Sequence, residues 1–152
     1  MNLRIEHLHD HPEQFPTVAH WIHREFWVGR EGHSPERMEA RLRTAADPDR
    51  IPLSLLALVD GVPAGTVNLV ENDDEERPQL TPWLAALLVV PEHREKGVGS
   101  QLVRELVKHG RRLGVPRMYL GTDIPAFYER LEARVHEQVT DAFCVMVIEV
   151  PE

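Results

Sequence analysis

Two hydrophobic periods alternate along this chain. Leu3, Ile5 and Leu8 suggest a short first strand over Asn2–Leu8. From Pro12 onward Phe15, Val18, Ala19, Ile22, Phe26 and Trp27 recur at three and four, the spacing of one helix face, and Gly29 and Gly32 end it. Ser34-Pro35-Glu36-Arg37 is a helix start, with serine as cap and proline in the first helical position. Met38, Leu42 and Ala45 then line a short second helix that stops before Asp47-Pro48. Ile51–Val59 reads as a strand, Asp60-Gly61 as a tight hairpin turn, and Val62–Glu71 as its partner. Trp83–Val90 is apolar at every position, as a central strand covered on both faces must be. Val98, Leu102, Leu106 and Val107 return to the helical period, and Lys108, His109, Arg111 and Arg112 then face the negative helix end before Gly114. Val115–Gly121 is a further strand and Asp123–Leu131 a short helix. Val135–Val139 and Phe143–Val150 are strands joined at Thr140-Asp141.

The fourth and fifth strands flank a helical crossover, so they should run parallel in a right-handed unit, with antiparallel hairpins on either side. The expected fold is therefore mixed α/β: a mostly antiparallel central sheet of about seven strands, with helices on both faces. A chain of 152 residues is long enough for one self-sufficient domain, read here as residues 1–152.

Composition changes this picture little. The formal net charge of −8 argues against a nucleic-acid or anionic-membrane partner, and solubility alone accounts for it. Asn72 to Pro78 reads as a charged, solvated and mobile loop. Cys144 is the only cysteine and lies in an apolar run, where it reads as a small buried hydrophobe. Met1 to Asp10 lacks the apolar core of a signal peptide, so a cytoplasmic location is expected. His7, His9 and His11 alternate as if on one strand face, but no cysteine or carboxylate pattern completes a metal site. Solvated histidines and no metal are expected there.

Chemistry concentrates between Leu84 and Val103. A strand meets Pro91, then a basic loop with Gly97 and Gly99, then a helix start. Backbone N–H groups in a first helical turn have no intrahelical partner, and the helix dipole favours an anion beside them. The loop is no P-loop, because Gly99 is followed by Ser100-Gln101 rather than a Lys-Ser/Thr pair.

Two blocks resemble the GNAT superfamily of acyl-CoA-dependent N-acyltransferases. Leu87-Leu88-Val89-Val90-Pro91 followed by Arg94-Glu95-Lys96-Gly97-Val98-Gly99 fits that family's strand ending and its Arg/Gln-x-x-Gly-x-Gly/Ala signature. Tyr119 to Leu131, with Phe127-Tyr128-Glu129 inside it, is similar to its strand-then-Phe-Tyr-Glu block. The resemblance implies an acetyl-CoA-dependent N-acetyltransferase in which an amine attacks the thioester directly in a ternary complex. Arg94, Glu95, Lys96, Gly97, Val98, Gly99 and Ser100 would then cradle the coenzyme diphosphate, with Asp123 and Phe127 bordering it. Leu87, Leu88 and Val89 would lie beside pantetheine on a bulged strand that splays from its neighbour. The N–H of Leu87 would polarise the carbonyl, and Tyr128 would serve as general acid to the leaving thiolate.

For the general base Glu71 is the best candidate, by position near the splay, while Glu25 and Trp27 could line the acceptor pocket. The acceptor would be a small-molecule or peptide amine, and a two-fold dimer would be unsurprising. One departure stands out: Glu132 and Ala133 occupy the place where the family often has Gly and an aromatic. Glutamate in the left-handed conformation of a glycine cap costs about 1–2 kcal/mol, so a different helix end is expected. Two other readings stay open at this point, a non-catalytic acyl-CoA sensor on the same fold and a nucleotide-binding α/β domain.

Overall fold

The computed structural model describes residues 1–152. Its strands are β1 (Leu3–His7), β2 (Leu53–Val59), β3 (Val62–Val70), β4 (Trp83–Val89), β5 (Arg117–Thr122), β6 (Arg134–Gln138) and β7 (Cys144–Glu149). They form one seven-stranded sheet in the order β1-β2-β3-β4-β5-β7-β6. Every neighbouring pair is antiparallel except β4 and β5. The helices are α1 (Phe15–Ile22), α2 (Pro35–Leu42), α3 (Val98–Arg112) and α4 (Pro125–Glu129). The mixed sheet and its parallel crossover are those the hydrophobic pattern predicts.

Local chemistry explains most boundaries. Asp60 and Gly61 both have positive φ, 51° and 82°, as a two-residue hairpin turn of the primed type requires. Ser34 accepts a hydrogen bond from the Arg37 N–H at 3.1 Å and caps α2 ahead of Pro35. At the end of α3 the N–H of Val115 donates to Gly110 O and that of Gly114 to Arg111 O, a Schellman motif with Gly114 at φ 76°. The end of α4 repeats the motif with Glu132 in the glycine position. Ala133 N–H donates to Tyr128 O, Glu132 N–H to Glu129 O, and Glu132 takes φ 69°. The helix therefore ends as a glycine would end it, against the expectation from residue type. Burial of Ala133 in the core stands on the favourable side of that strain.

Two apolar layers sandwich the sheet. On one face α3 packs Val98, Leu102 and Leu106 against β2, β3 and β5. On the other, α1 and α2 pack Val18, Ile22, Met38 and Leu42 on Leu56 and Leu58 of β2, which is buried at every position. Cys144 is buried on β7, and that burial pushes its thiol pKa up, consistent with a small core residue. No helix is long and apolar enough to cross a membrane.

Four further expectations need correction. The first helix is not one continuous face: residues His23–Trp27 form a π-helical turn, whose extra residue rotates the side chains of the turn out of register with α1. Phe26 is accordingly exposed and Trp27 half-buried. The second half of β4 is not covered on both faces, since Ala86 to Val90 are half-exposed. The histidines do not alternate along a strand, because β1 ends at His7 and a 3-10 turn begins at Leu8. His7 stacks on His9 and meets His109 edge-on, while His11 turns to Glu6 at 2.6 Å; all three early histidines are half-buried rather than solvated. Lastly, the charged loop after β3 is pinned. Arg77 donates to both Glu137 oxygens at 3.0 and 2.8 Å and to Asp74 at 2.8 Å, tying the loop to edge strand β6.

Candidate functional site

The half-exposed part of β4 marks the site. β4 and β5 are registered at a single pair, Trp83 with Tyr119, after which the strands part. β3 stays paired with β4 beyond that point, Thr66 opposite Leu88 and Gly65 opposite Val89. The β5 side of Ala86–Val89 therefore has no strand partner, an open wedge in the middle of a sheet.

A bulge shapes the wedge. Between Asn68–Ala85 and Thr66–Leu88 the partner strand advances two residues while β4 advances three, and the extra residue, Ala86, takes φ 52°. Before the bulge Leu84 faces the α3 core; after it Leu87 and Val89 do, while Ala86 and Leu88 face α1. Buried polar groups on β2 and β3 hold this irregularity. Ser54 Oγ donates to Asn68 Oδ1 at 2.5 Å, and Asn68 Nδ2 reaches the carbonyl of Ala85 at 3.4 Å. Gly65 permits the close crossing: a Cβ there would lie 2.7 Å from Leu88 O.

The wedge opens onto the loop before α3. Arg94 Nε donates to Val89 O at 2.9 Å and Lys96 Nζ to Glu92 O at 3.2 Å, so both side chains brace the loop. Glu95 and Gly97 take φ 62° and 81°, left-handed positions of the kind that turn successive N–H groups to one side. Gly97 is the N-cap of α3 and no side chain caps the helix. Intrahelical bonding begins with Gln101 N–H on Gly97 O, which leaves the N–H groups of Val98, Gly99 and Ser100 without a helical acceptor. A Cβ on Gly99 would stand 3.4 Å from the Phe127 ring, so the glycine lets that ring close on the helix start.

Tyr128 enters from α4, 6% exposed, its ring at right angles to Phe127 with centroids 4.9 Å apart. Burial alone pushes its phenol up to about 12, so the hydroxyl keeps its proton at any ordinary pH. Leu87, Val89, Val98, Phe127 and Tyr128 share one apolar cluster, while Leu88 packs on the α1 side and the polar loop residues lie outside both. Asp123 is exposed and is not the helix cap, which is Ile124 with no side-chain cap bond; Thr122 Oγ1 accepts the Ile124 N–H at 2.9 Å in the turn before the helix.

The remaining candidates stand apart. Glu71 follows β3 at the paired end of the wedge rather than its open end, exposed and accepting from Thr81 Oγ1 at 3.2 Å. Glu25 is exposed on the π-helical turn, and Trp27 belongs to the α1 face, where it packs in the same cluster as Ala86 and Leu88. Sequence reasoning passed over Gly65, Asn68 and Ser54. Their signal was a glycine and an asparagine inside an otherwise apolar strand, the mark of a bulge or a close backbone approach.

The geometry can be set beside known proteins. The sequence profile of the acetyltransferase (GNAT) family matches residues 9–132. Among curated protein sequences nothing matches the chain. Among solved structures it is similar to yncA from Salmonella typhimurium with its cofactor acetyl-CoA, at 18% identity and TM-score 0.72, covering 100% of this chain and 96% of the other. It is similar to the paia N-acetyltransferase from Thermoplasma acidophilum in complex with coenzyme A, at 19% identity and TM-score 0.72, covering 98% and 99%. The aminoglycoside 6'-N-acetyltransferase from Enterococcus faecium is a third, at 15% identity and TM-score 0.72, covering 100% and 98%. At such identities the likeness is one of fold.

Proposed function

The chain belongs to the acetyltransferase (GNAT) family, and from that premise we propose that it transfers the acetyl group of acetyl-CoA to an amine. The observation that carries this reading is the wedge: a central strand, half-exposed from Ala86 onward, that leads through a 3-10 turn and a short loop to an uncapped helix N-terminus. An extended thioester-bearing arm that ends in a diphosphate matches both parts. Leu87, Leu88 and Val89 would line the arm, and the free N–H groups of Val98, Gly99 and Ser100 would receive the diphosphate. Gly65 and Asn68 support the fit by holding the bulge that interrupts the strand pairing.

When bound, acetyl-CoA supplies an activated acyl group. The protein's share is to orient and stabilise. The Leu87 N–H, one residue past the bulge, would stabilise charge on the acyl oxygen. The Tyr128 hydroxyl, kept protonated by its burial, would deliver a proton to the departing sulfur. An amine entering from the α1 face would attack directly, with no covalent enzyme intermediate. Glu71 would take its proton only through water, since it stands at the far, paired end of β4, four residues or roughly 13 Å along the strand from Leu87.

Calorimetry with acetyl-CoA and a thiol-release screen across amines test the reading. Saturable binding and thiol release dependent on an amine are expected. No acetyl-CoA binding would remove the proposal. Binding without turnover across a broad panel would favour a sensor on the same fold.

A further inference from the structure

On the α1 side of the sheet, a cleft of about 100 Å³ lies between the π-helical turn and α2. His23 and Trp27 line one wall, Arg37 and Arg41 the other, and Gly32, His33 and Ser34 close the end. In a chain of net charge −8, the lining holds two arginines and two histidines and no carboxylate. Trp27 stiffens the site, with His33 stacked on it at 4.3 Å and the Arg30 guanidinium 5.1 Å from its ring centre. Arg37 spends one guanidinium N–H on Gly32 O at 2.7 Å, which fixes its direction and leaves its other donors free. Arg41 is bonded through its backbone carbonyl, to the Thr44 hydroxyl, and its guanidinium has no ion-pair partner. Outside the lining, Asp73 is close enough to Arg41 for the guanidinium charge to act on its carboxyl.

We propose that this cleft seats an oxyanion carried by the acceptor, so that the enzyme acetylates an amine bearing a carboxylate or a phosphate. The proposal rests on the acetyl-transfer reading above and names the class of its acceptor. Three features carry it. Two arginines four residues apart on α2 present their forks to one side, the arrangement suited to planar recognition of an oxyanion. The volume is well under the roughly 300–1,000 Å³ of a cleft that encloses a whole drug-sized ligand, and it suits a single polar head group. Trp27, Ala86 and Leu88 all pack against the same buried cluster, which puts the cleft and the α1 side of the bulged strand on one layer of the fold. A polycationic amine would meet like charge at the same place.

The test uses matched acceptors in the thiol-release assay: lysine against cadaverine, and O-phosphoethanolamine against ethanolamine. The member carrying the oxyanion should have a KM at least about tenfold lower than its counterpart. Preference in the first pair identifies a carboxylate and in the second a phosphate. Arg41→Gln should erase that ratio and Arg41→Lys restore part of it, with acetyl-CoA affinity and Tm unchanged. The proposal is overturned if the neutral or cationic member of each pair is the better acceptor, or if Arg41→Gln leaves the ratio as it was. Absent acetyl-CoA binding would instead defeat the acetyl-transfer reading, whereas bound acetyl-CoA with no preference for the oxyanion defeats this inference alone.

Discussion

On the α3 side of β4 the recognition surface is made of backbone. It consists of a bulge, an unpaired strand edge, a left-handed loop and the free N–H groups of a helix start. On the α1 side it is made of side chains: Arg37 and Arg41 from α2, His23 and Trp27 from the π-helical turn, His33 from the segment between them. The two sides divide the proposed work accordingly. Backbone groups would recognise what is constant, a pantetheine arm and its diphosphate, through conformations that only a few residues such as Gly65 and Gly97 must permit. Side chains would recognise the acceptor. The aminoglycoside 6'-N-acetyltransferase from Enterococcus faecium is similar in fold, and likeness of fold leaves the side chains of an acceptor cleft undetermined.

Substitutions can break or sharpen this contrast. The largest effect is expected from Tyr128→Phe, which removes the one proton donor proposed on the cofactor side. A fall in kcat on the order of a hundredfold, with acetyl-CoA affinity unchanged by calorimetry, is the expected result. Because the folded protein holds this phenol proton more tightly than the unfolded chain, from 10.0 to about 12, the kcat profile should show no loss from this group below pH 10. By the same sign, the stability contributed by Tyr128 is complete below pH 10 and is lost as pH rises through about 12.

Next comes Gly65→Val. Its side chain would press on the Leu88 carbonyl from 2.7 Å, a backbone atom that cannot swing aside. A destabilisation of about 1–3 kcal/mol in denaturant unfolding is expected, together with weakened acetyl-CoA binding. Unchanged binding would mean that the bulge does not shape the cofactor surface.

Gly97→Ala separates space from conformation. A Cβ there meets nothing within 4 Å, but φ is 81°. The expected penalty is about 1–2 kcal/mol of strain, read as roughly tenfold weaker acetyl-CoA affinity if the loop relaxes. The smallest effect runs the other way. Glu132→Gly relieves a left-handed glutamate and should stabilise the protein by about 0.5–1 kcal/mol in thermal or urea unfolding, with catalysis unaltered. A loss of stability would show that the Glu132 side chain compensates its own backbone.

Legibility followed the same division. Strand, loop and helix around Leu84–Val103 could be read because bulge, loop and helix start are consecutive in the chain and betray themselves by glycine, proline and apolar period. The wedge itself was expected only through the family resemblance, because apolar period and composition do not show where β4, bulged at Ala86, parts from β5 after the single pair Trp83–Tyr119. Asn68 and Ser54 looked like isolated polar residues until the hairpin placed them opposite one another. The cationic cleft was legible only in part: Trp27 was a candidate for the acceptor pocket, but the π-helical turn and the next helix, which bring it together with Arg37 and Arg41, did not show in the pattern.

By itself, the sequence determined the order and type of the elements, the hairpin at Asp60-Gly61, the serine cap of α2 and the uncapped glycine start of α3. Each of these is a contest among neighbouring residues over φ, ψ and nearby hydrogen bonds. Tertiary structure alone decided where β4 loses its partner, which polar side chains hold the bulge, and why Glu132 accepts a glycine's conformation. Those outcomes depend on contacts between segments far apart in the chain, where burial of Ala133 or the close crossing at Gly65 outweighs local preference.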